Sequence, residues 1–202
     1  MPNWNALLIA LLVTACTSTE RDVRDEAPMS EWLTATPLLQ QQIEDEAVRL
    51  PYSHGFDRLE QIRWFASIGE PAYATLLRLA VDPRDDVAAA ALAALGATLD
   101  ARLVTHIQEL PWSEERSSSD LGLERARTLV RLGDWSQMSV LIRGLDDERL
   151  FTRSLCLDAL REATHETHEF DPRAEKEARD KAAARWREWW LQRTGEGILP
   201  KS

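Results

Sequence analysis

From Thr36 onward, apolar residues recur three and four positions apart, and no stretch alternates apolar with polar over the length of a strand. That spacing places them on one face of an α-helix. The first predicted helix opens at Thr36-Pro37, a capping residue followed by proline at the first helical position, and runs to about Arg49 before Pro51 stops it. The next opens at Asp57, with Glu60 at capping-box spacing, and carries Leu59, Ile62, Phe65 and Ala66 on one face. Gly69 ends it, and Pro71 starts its partner with Leu76, Leu77 and Ala80. Val87, Ala91, Leu92 and Leu95 mark a further helix closed by Gly96, and Leu99, Leu103, Ile107 and Leu110 mark another. Ala, Leu, Glu and Arg dominate the composition, which agrees with helix. The expected fold class is all-α.

These elements repeat. Gly69 overlays Gly133 and Asp82 overlays Asp146 at one offset of 64 residues, which also sets Leu77 on Leu141, Val87 on Phe151 and Ala91 on Leu155. With one helix pair in between, the unit is about 32 residues, a period of the kind that solenoids show. The stretches LLRLAVDPRDDVAAAALAALG and VLIRGLDDERLFTRSLCLDAL each read as a helix end, an acidic turn and an Ala/Leu-rich helix. This unit resembles the short bacterial HEAT repeat, similar to those of phycobilisome-lyase-like proteins, over roughly Phe56 to Leu160. The resemblance implies an α-solenoid of about four helix pairs from Phe56 to Arg193, preceded by one extra helix at Thr36–Arg49. The acidic clusters Asp82–Asp86 and Asp146–Glu148 fall at helix N-termini, where negative charge is favoured by the dipole, so capping accounts for them without a metal. The polar stretch Pro111–Asp120 interrupts the rhythm as a long loop, and Trp112 within it is a candidate anchor for a partner.

Ahead of the helices, Ala6–Ala15 is an uncharged apolar run, too short to span a bilayer and of the length of a signal-peptide core. It ends in Val13-Thr14-Ala15-Cys16, which resembles the lipobox of bacterial lipoproteins, although no Lys or Arg precedes the run. The resemblance implies cleavage before Cys16 and lipidation of its sulfur. Residues 1–15 are then a signal peptide and 16–35 a lipidated, polar tether, with the repeat domain at 36–202. Thr17 in second place, where Asp would retain a lipoprotein at the inner membrane, implies the outer membrane, facing the periplasm. Cys156 then has no disulfide partner and sits among Leu155, Leu157 and Leu160 as a small core residue.

At the other end, Trp186, Trp189 and Trp190 share one helical face. The segment from Leu160 to Trp190 resembles a closing unit of bacterial HEAT-repeat proteins, in which aromatic-Asp-Pro precedes a long helix ending in tryptophans. Phe170, Asp171 and the three tryptophans match it, which implies a structural cap; an aromatic ligand cage is the alternative. His165 stands where that unit usually has glycine. His165 and His168 are the nearest approach to a metal pair. They lie three apart in a loop ahead of a helix beginning at Asp171-Pro172, not four apart on a helix as in zincins, so a solvated loop accounts for them.

The chain carries a formal net charge of −10, which turns phosphate backbones away and excludes nucleic acid as the expected partner. It has no GxSxG elbow, P-loop, CxxC or glycine-rich phosphate motif, so no enzyme activity and no cofactor is expected. What remains is a lipid-anchored cell-envelope scaffold that binds a protein partner. A lyase-like or ligand-modifying role, suggested by the relatives of the short HEAT unit, and a structural subunit of an envelope complex stay open beside it.

Overall fold

Helix period governs the chain throughout: the computed structural model describes residues 32–198, and these form ten α-helices with no strand among them. The helices are α1 (Pro37–Arg49), α2 (Gly55–Ile68), α3 (Tyr73–Leu79), α4 (Asp85–Ala97), α5 (Leu103–Gln108), α6 (Glu114–Ser117), α7 (Asp120–Arg131), α8 (Met138–Gly144), α9 (Leu150–Thr164) and α10 (Lys176–Thr194). None is long and apolar enough to cross a membrane. The expected signal peptide, Cys16 and the tether as far as residue 31 lie outside the described residues. Trp32 and Ala35, at the end of that stretch, already pack on the core.

α1 begins as its sequence dictates. The Thr36 side chain accepts a hydrogen bond from the Leu39 N–H at 3.3 Å, and Pro37 takes the first turn. α2 departs from expectation. It starts at Gly55, two residues before Asp57, and His54 makes no side-chain cap. Its inward face is also rotated, because polar side chains occupy it. The Gln61 amide donates to the Glu46 carboxylate at 2.7 Å, and Arg58 donates to the Leu50 carbonyl and the Asp86 carboxylate. Phe65 is fully buried beside them while Leu59 remains half-exposed. Counting apolar residues misplaced the face since hydrogen-bonded polar groups can take inward positions.

Gly96 does not close its helix. α4 continues to Ala97, and Gly96 lets α7 approach: a Cβ there would stand 3.3 Å from Thr128 Cγ2. The Thr128 hydroxyl donates to the Leu92 carbonyl at 3.1 Å across the same contact. Leu99 is not a helical core residue either. It sits exposed at φ 58 in the turn after α4, and α5 spans only Leu103–Gln108. Nor is Pro111–Asp120 wholly a loop. Ser113 caps the single turn of α6 and Ser119 caps α7, each through its hydroxyl oxygen.

The internal repeat holds its offset of 64 through α2 and α7, where Phe65 corresponds to Leu129 and Gly69 to Gly133, both glycines at positive φ. The second turn then carries one extra residue, Asp134, whose carboxylate accepts from the Ser136 N–H at 3.1 Å. Beyond it the register is 65. Buried Val87, Ala88, Ala91, Leu92 and Leu95 of α4 correspond to buried Thr152, Arg153, Cys156, Leu157 and Leu160 of α9. Phe151, expected opposite Val87, is therefore 69% exposed, and Leu155 is only half-buried.

The same register aligns two turns of one design. In Asp82-Pro83-Arg84 the carboxylate accepts from the backbone N–H (2.9 Å) and the guanidinium (2.8 Å) of the arginine two residues on. Asp147 and Arg149 repeat this at 3.0 Å for both bonds, and so do Asp100 and Arg102. Asp82 and Asp147 thus build the turns, and the N-cap residues are Arg84 and Arg149, while Asp85 and Asp86 fall in the first turn of α4, where the dipole favours them; α9 has no acidic residue in its first turn. The Arg84 side-chain hydrogen bond holds the Asp82 carboxyl down at about 2 from its ordinary 3.8. A carboxyl depressed in the folded state adds stability above 3.8 that is lost as pH falls toward 2. Asp82→Asn is expected to cost about 1 kcal/mol at neutral pH, discounted for the exposure of Arg84, and only a small fraction of that near pH 2. Urea melts at several pH values check this; an equal loss at both ends would contradict it.

Packing arranges the helices in two groups. α2 packs on α4, α4 on α7, and α7 on α9. Ion pairs join their N-terminal ends: Arg58–Asp86 at 2.8 Å and Arg149–Asp120 at 2.6 Å, with Arg116 of α6, just ahead of α7, reaching Asp85 of α4 at 3.3 Å. The four helices therefore start at one end and run alongside one another. α3 packs between α1 and α4, α5 against α7, α8 against α7 and α9, and α10 against α8. One core cluster runs from Ile43 through Phe65, Leu76 and Leu95 to Leu129, and a second from Val130 through Leu141 and Cys156 to Trp190. Leu141 is fully buried in the second. Leu141→Ala should cost about 2–5 kcal/mol, whereas exposed Glu115→Ala should cost under about 0.5 kcal/mol. Urea melts of the two variants compare them directly.

Candidate functional site: an aromatic end and a charged helix face

α10 turns the buried positions Ala182, Ala183, Trp186 and Trp190 inward. Small alanines let the helix approach, and the two indoles fill the space beside Leu141, Ile142 and Leu160. Trp186 is fully buried and Trp190 nearly so. Trp189 lies between buried and exposed, edge-on to Trp186 at 5.6 Å between centroids. Trp135, from the turn before α8, meets Trp189 at 6.4 Å, and the Arg193 guanidinium lies over both rings at 4.8 and 5.5 Å. His168 closes the other side, its ring perpendicular to Trp186 at 4.5 Å. Arg193 follows Trp189 by four residues on α10, so its spacing marks it, whereas Trp135 and His168 come from two other segments and no spacing announces them. The indole nitrogens of Trp186 and Trp190 and Nε2 of His168 are buried with no hydrogen-bond partner among the described residues.

Phe170 is buried in this cluster as its position predicts. Asp171 forms a turn: its carboxylate accepts from the Arg173 N–H at 2.9 Å and its carbonyl from the Ala174 N–H at 3.2 Å. Asp171-Pro172 does not begin the final helix, which starts at Lys176. The Pro172 carbonyl is held elsewhere, accepting from Nε and Nη2 of Arg153 at 3.0 and 2.7 Å. Arg153 is itself buried, and its Nη1 donates to the carbonyls of Asp147 and Glu148. This one guanidinium ties the turn before α9 to the segment before α10. Arg187 of α10 adds a half-buried ion pair with Asp146.

The two histidines are put to different uses. His165 ends α9 in the left-handed conformation (φ 61, ψ 15) that glycine usually supplies, and its side chain is exposed. His168 packs on the tryptophans. No group of three His, Cys, Asp or Glu side chains able to hold a metal occurs among the described residues. Trp112 is likewise engaged within the fold. Its indole N–H donates to the Ala80 carbonyl at 3.1 Å, and Arg116 and Arg125 each lie 5.3 Å from its ring centroid. It locks α6 and α7 onto the turn after α3, so little of the ring projects.

The α2–α4–α7–α9 group presents the other notable surface. On α4 its partly buried positions are Ala89, Ala93 and Ala97, one turn apart. On α7 and α9 they are charged: Arg131 pairs with Glu162 at 2.9 Å, and Arg127 lies 3.8 Å from Glu124 and 4.0 Å from Glu162. Burial pushes the Glu124 carboxyl up against the opposing pull of these arginines. An open cleft of about 450 Å³ adjoins this face, lined by Asp158, Arg161, Glu162, His165 and Thr167. Compared with protein-family models, with curated proteins and with solved structures, the chain finds no match.

Proposed function

We propose that this protein is a scaffold of the bacterial cell envelope, a short α-solenoid of HEAT-like helix pairs held to the membrane by a lipid on Cys16. The observation that carries the architecture is the order of contacts. Each of α2, α4 and α7 packs on the next long helix of its group, and the intervening helices α3, α5 and α8 pack outside them. Stacked units of this kind touch only their neighbours and leave one extended face, which repeat proteins use for binding. The pairs are then α3 with α4, α5 with α7 and α8 with α9, preceded by α1 and α2. α10 is the closing helix, sealed by Phe170 and the tryptophans.

The partner docks on the face of α2, α4, α7 and α9, where the alanine strip of α4 leaves room between the Glu60–Arg63 pair and the Glu124–Arg127–Arg131–Glu162 network. The partner is a protein, because alternating charges on an open surface suit a polar, shape-specific contact better than a small ligand. The lipobox resemblance at Val13–Cys16 supports the anchor, and Thr17 supports the outer membrane. Cys16→Ser is expected to block processing and move the protein from the membrane to the soluble fraction, read by fractionation and intact mass. An N-terminus upstream of Cys16 in the mature protein refutes the anchor. Ala93→Arg should abolish recovery of a crosslinked envelope partner while leaving the melting curve within about 0.5 kcal/mol; unchanged recovery refutes the face.

A further inference from the structure

We infer that the Arg193 guanidinium, held over the rings of Trp135 and Trp189, is a docking point for an acidic side chain of a partner protein. The inference is independent of the reading above, since neither the lipid anchor nor the α2–α4–α7–α9 face enters it.

Arg193 stands apart from the other basic residues of α10. Lys176, Lys181, Arg185 and Arg187 are ion-paired with Asp180, Glu177, Glu169 and Asp146, and Arg179 donates to the Ala174 carbonyl at 2.7 Å. Arg193 makes neither an ion pair nor a hydrogen bond among the described residues. Its contacts are aromatic, with Cζ 4.8 Å from the Trp135 ring centroid and 5.5 Å from that of Trp189. The arginine is exposed while both indoles are partly buried. Attraction to ring faces holds a cation without using its N–H groups, so the fork is kept in place with its donors free.

The carboxylates beside the two rings are engaged elsewhere. Asp134, next to Trp135, accepts from the Ser136 N–H at 3.1 Å and from the Gln108 amide at 2.8 Å. Glu188, next to Trp189, accepts from the Gln192 amide at 3.1 Å. Within the same cluster, the indole nitrogens of Trp186 and Trp190 also find no acceptor among the described residues. Acceptors are what this end of the molecule lacks.

Charge complementarity therefore selects the occupant. A guanidinium fork matches a carboxylate through two parallel hydrogen bonds, and a fork already held on two rings has little freedom left to lose on binding. Trp and Arg are also the side chains in which interface energy concentrates. A cationic partner would meet Arg193 at the very rings it needs, and an apolar one would strip water from the guanidinium without replacing it. The net charge of −10 does not forbid an acidic partner, because at physiological salt charges more than about 8 Å away are largely screened.

The test titrates the full chain with a capped peptide of alternating Gly and Glu, and with its Gly and Gln isostere, at physiological salt. Indole and guanidinium N–H signals are followed by NMR. The Glu peptide is expected to move the Trp135, Trp189 and Arg193 signals saturably in the millimolar range, and the Gln peptide to leave them in place. Arg193→Gln should weaken binding about tenfold while the protein stays folded, and Arg193→Lys should recover only part of the loss. Trp135→Leu keeps every charge, yet it should weaken binding several-fold by releasing the fork. Arg143→Gln, at an exposed arginine of α8, should bind like wild type. Shifts no larger with the Glu peptide than with the Gln peptide overturn the inference. So does wild-type affinity in Arg193→Gln, or an equal loss in Arg143→Gln.

Discussion

Trp186→Ala should lower the stability of the protein by about 3–5 kcal/mol, as truncating a buried large aromatic does. The ring is fully buried and touches His168 and Trp189 directly, and it shares a core with Leu141, Ile142 and Phe170. No neighbour can collapse into the gap without moving α10, which packs chiefly on α8. Because Trp186 sits in the second core cluster, the loss should fall first on α8 to α10, and amide exchange should rise there before it rises in α2 or α4. This outcome distinguishes a structural cap from a ligand cage. A cage would keep the indole open to acrylamide and leave the denaturant midpoint where it was.

Arg153→Met is expected to cost about 3 kcal/mol or more, since hydrogen bonds to a charged group contribute about 1.5–3 kcal/mol each and buried carbonyls are left unmet. Four bonds are lost, from one guanidinium to the carbonyls of Asp147, Glu148 and Pro172. Methionine replaces the volume, so the effect isolates the hydrogen bonds from the packing. Arg153→Lys should recover less than half of the loss, because an ammonium cannot span three carbonyls with the geometry of a planar fork. Urea melts of both variants decide the matter; a Met variant within 0.5 kcal/mol of wild type would mean that the clamp is idle.

The aromatic end shows how far a spacing argument reaches. Trp186 and Trp190 are read correctly as one buried face, because positions four apart on a helix always coincide. Arg193 reaches Trp189 from four residues on along the same helix, but Trp135 joins them only because α8 and α10 pack together, a fact with no local signature. Trp112 shows what spacing leaves out. A large aromatic in a polar stretch suggests a projecting anchor, but a carbonyl at Ala80 and two arginines were available to it from elsewhere in the chain.

By itself, the sequence determined the helical class, the cap at Thr36, the helix ends at Gly69 and Gly133 and the burial of Leu76, Leu141, Cys156 and Phe170. Each of these rests on interactions between residues a few positions apart, or on the plain transfer of apolar groups out of water, and both are written in local order. Tertiary structure alone decided the inward face of α2, the place of Gly96 against Thr128, the shift of register from 64 to 65 at Asp134, and the clamp of Arg153. In all four, a polar group or a bare backbone takes a position that hydrophobicity would assign differently. What reverses the preference is a partner far away in the chain, a carboxylate, a hydroxyl or a carbonyl, whose nearness exists only once the helices have packed.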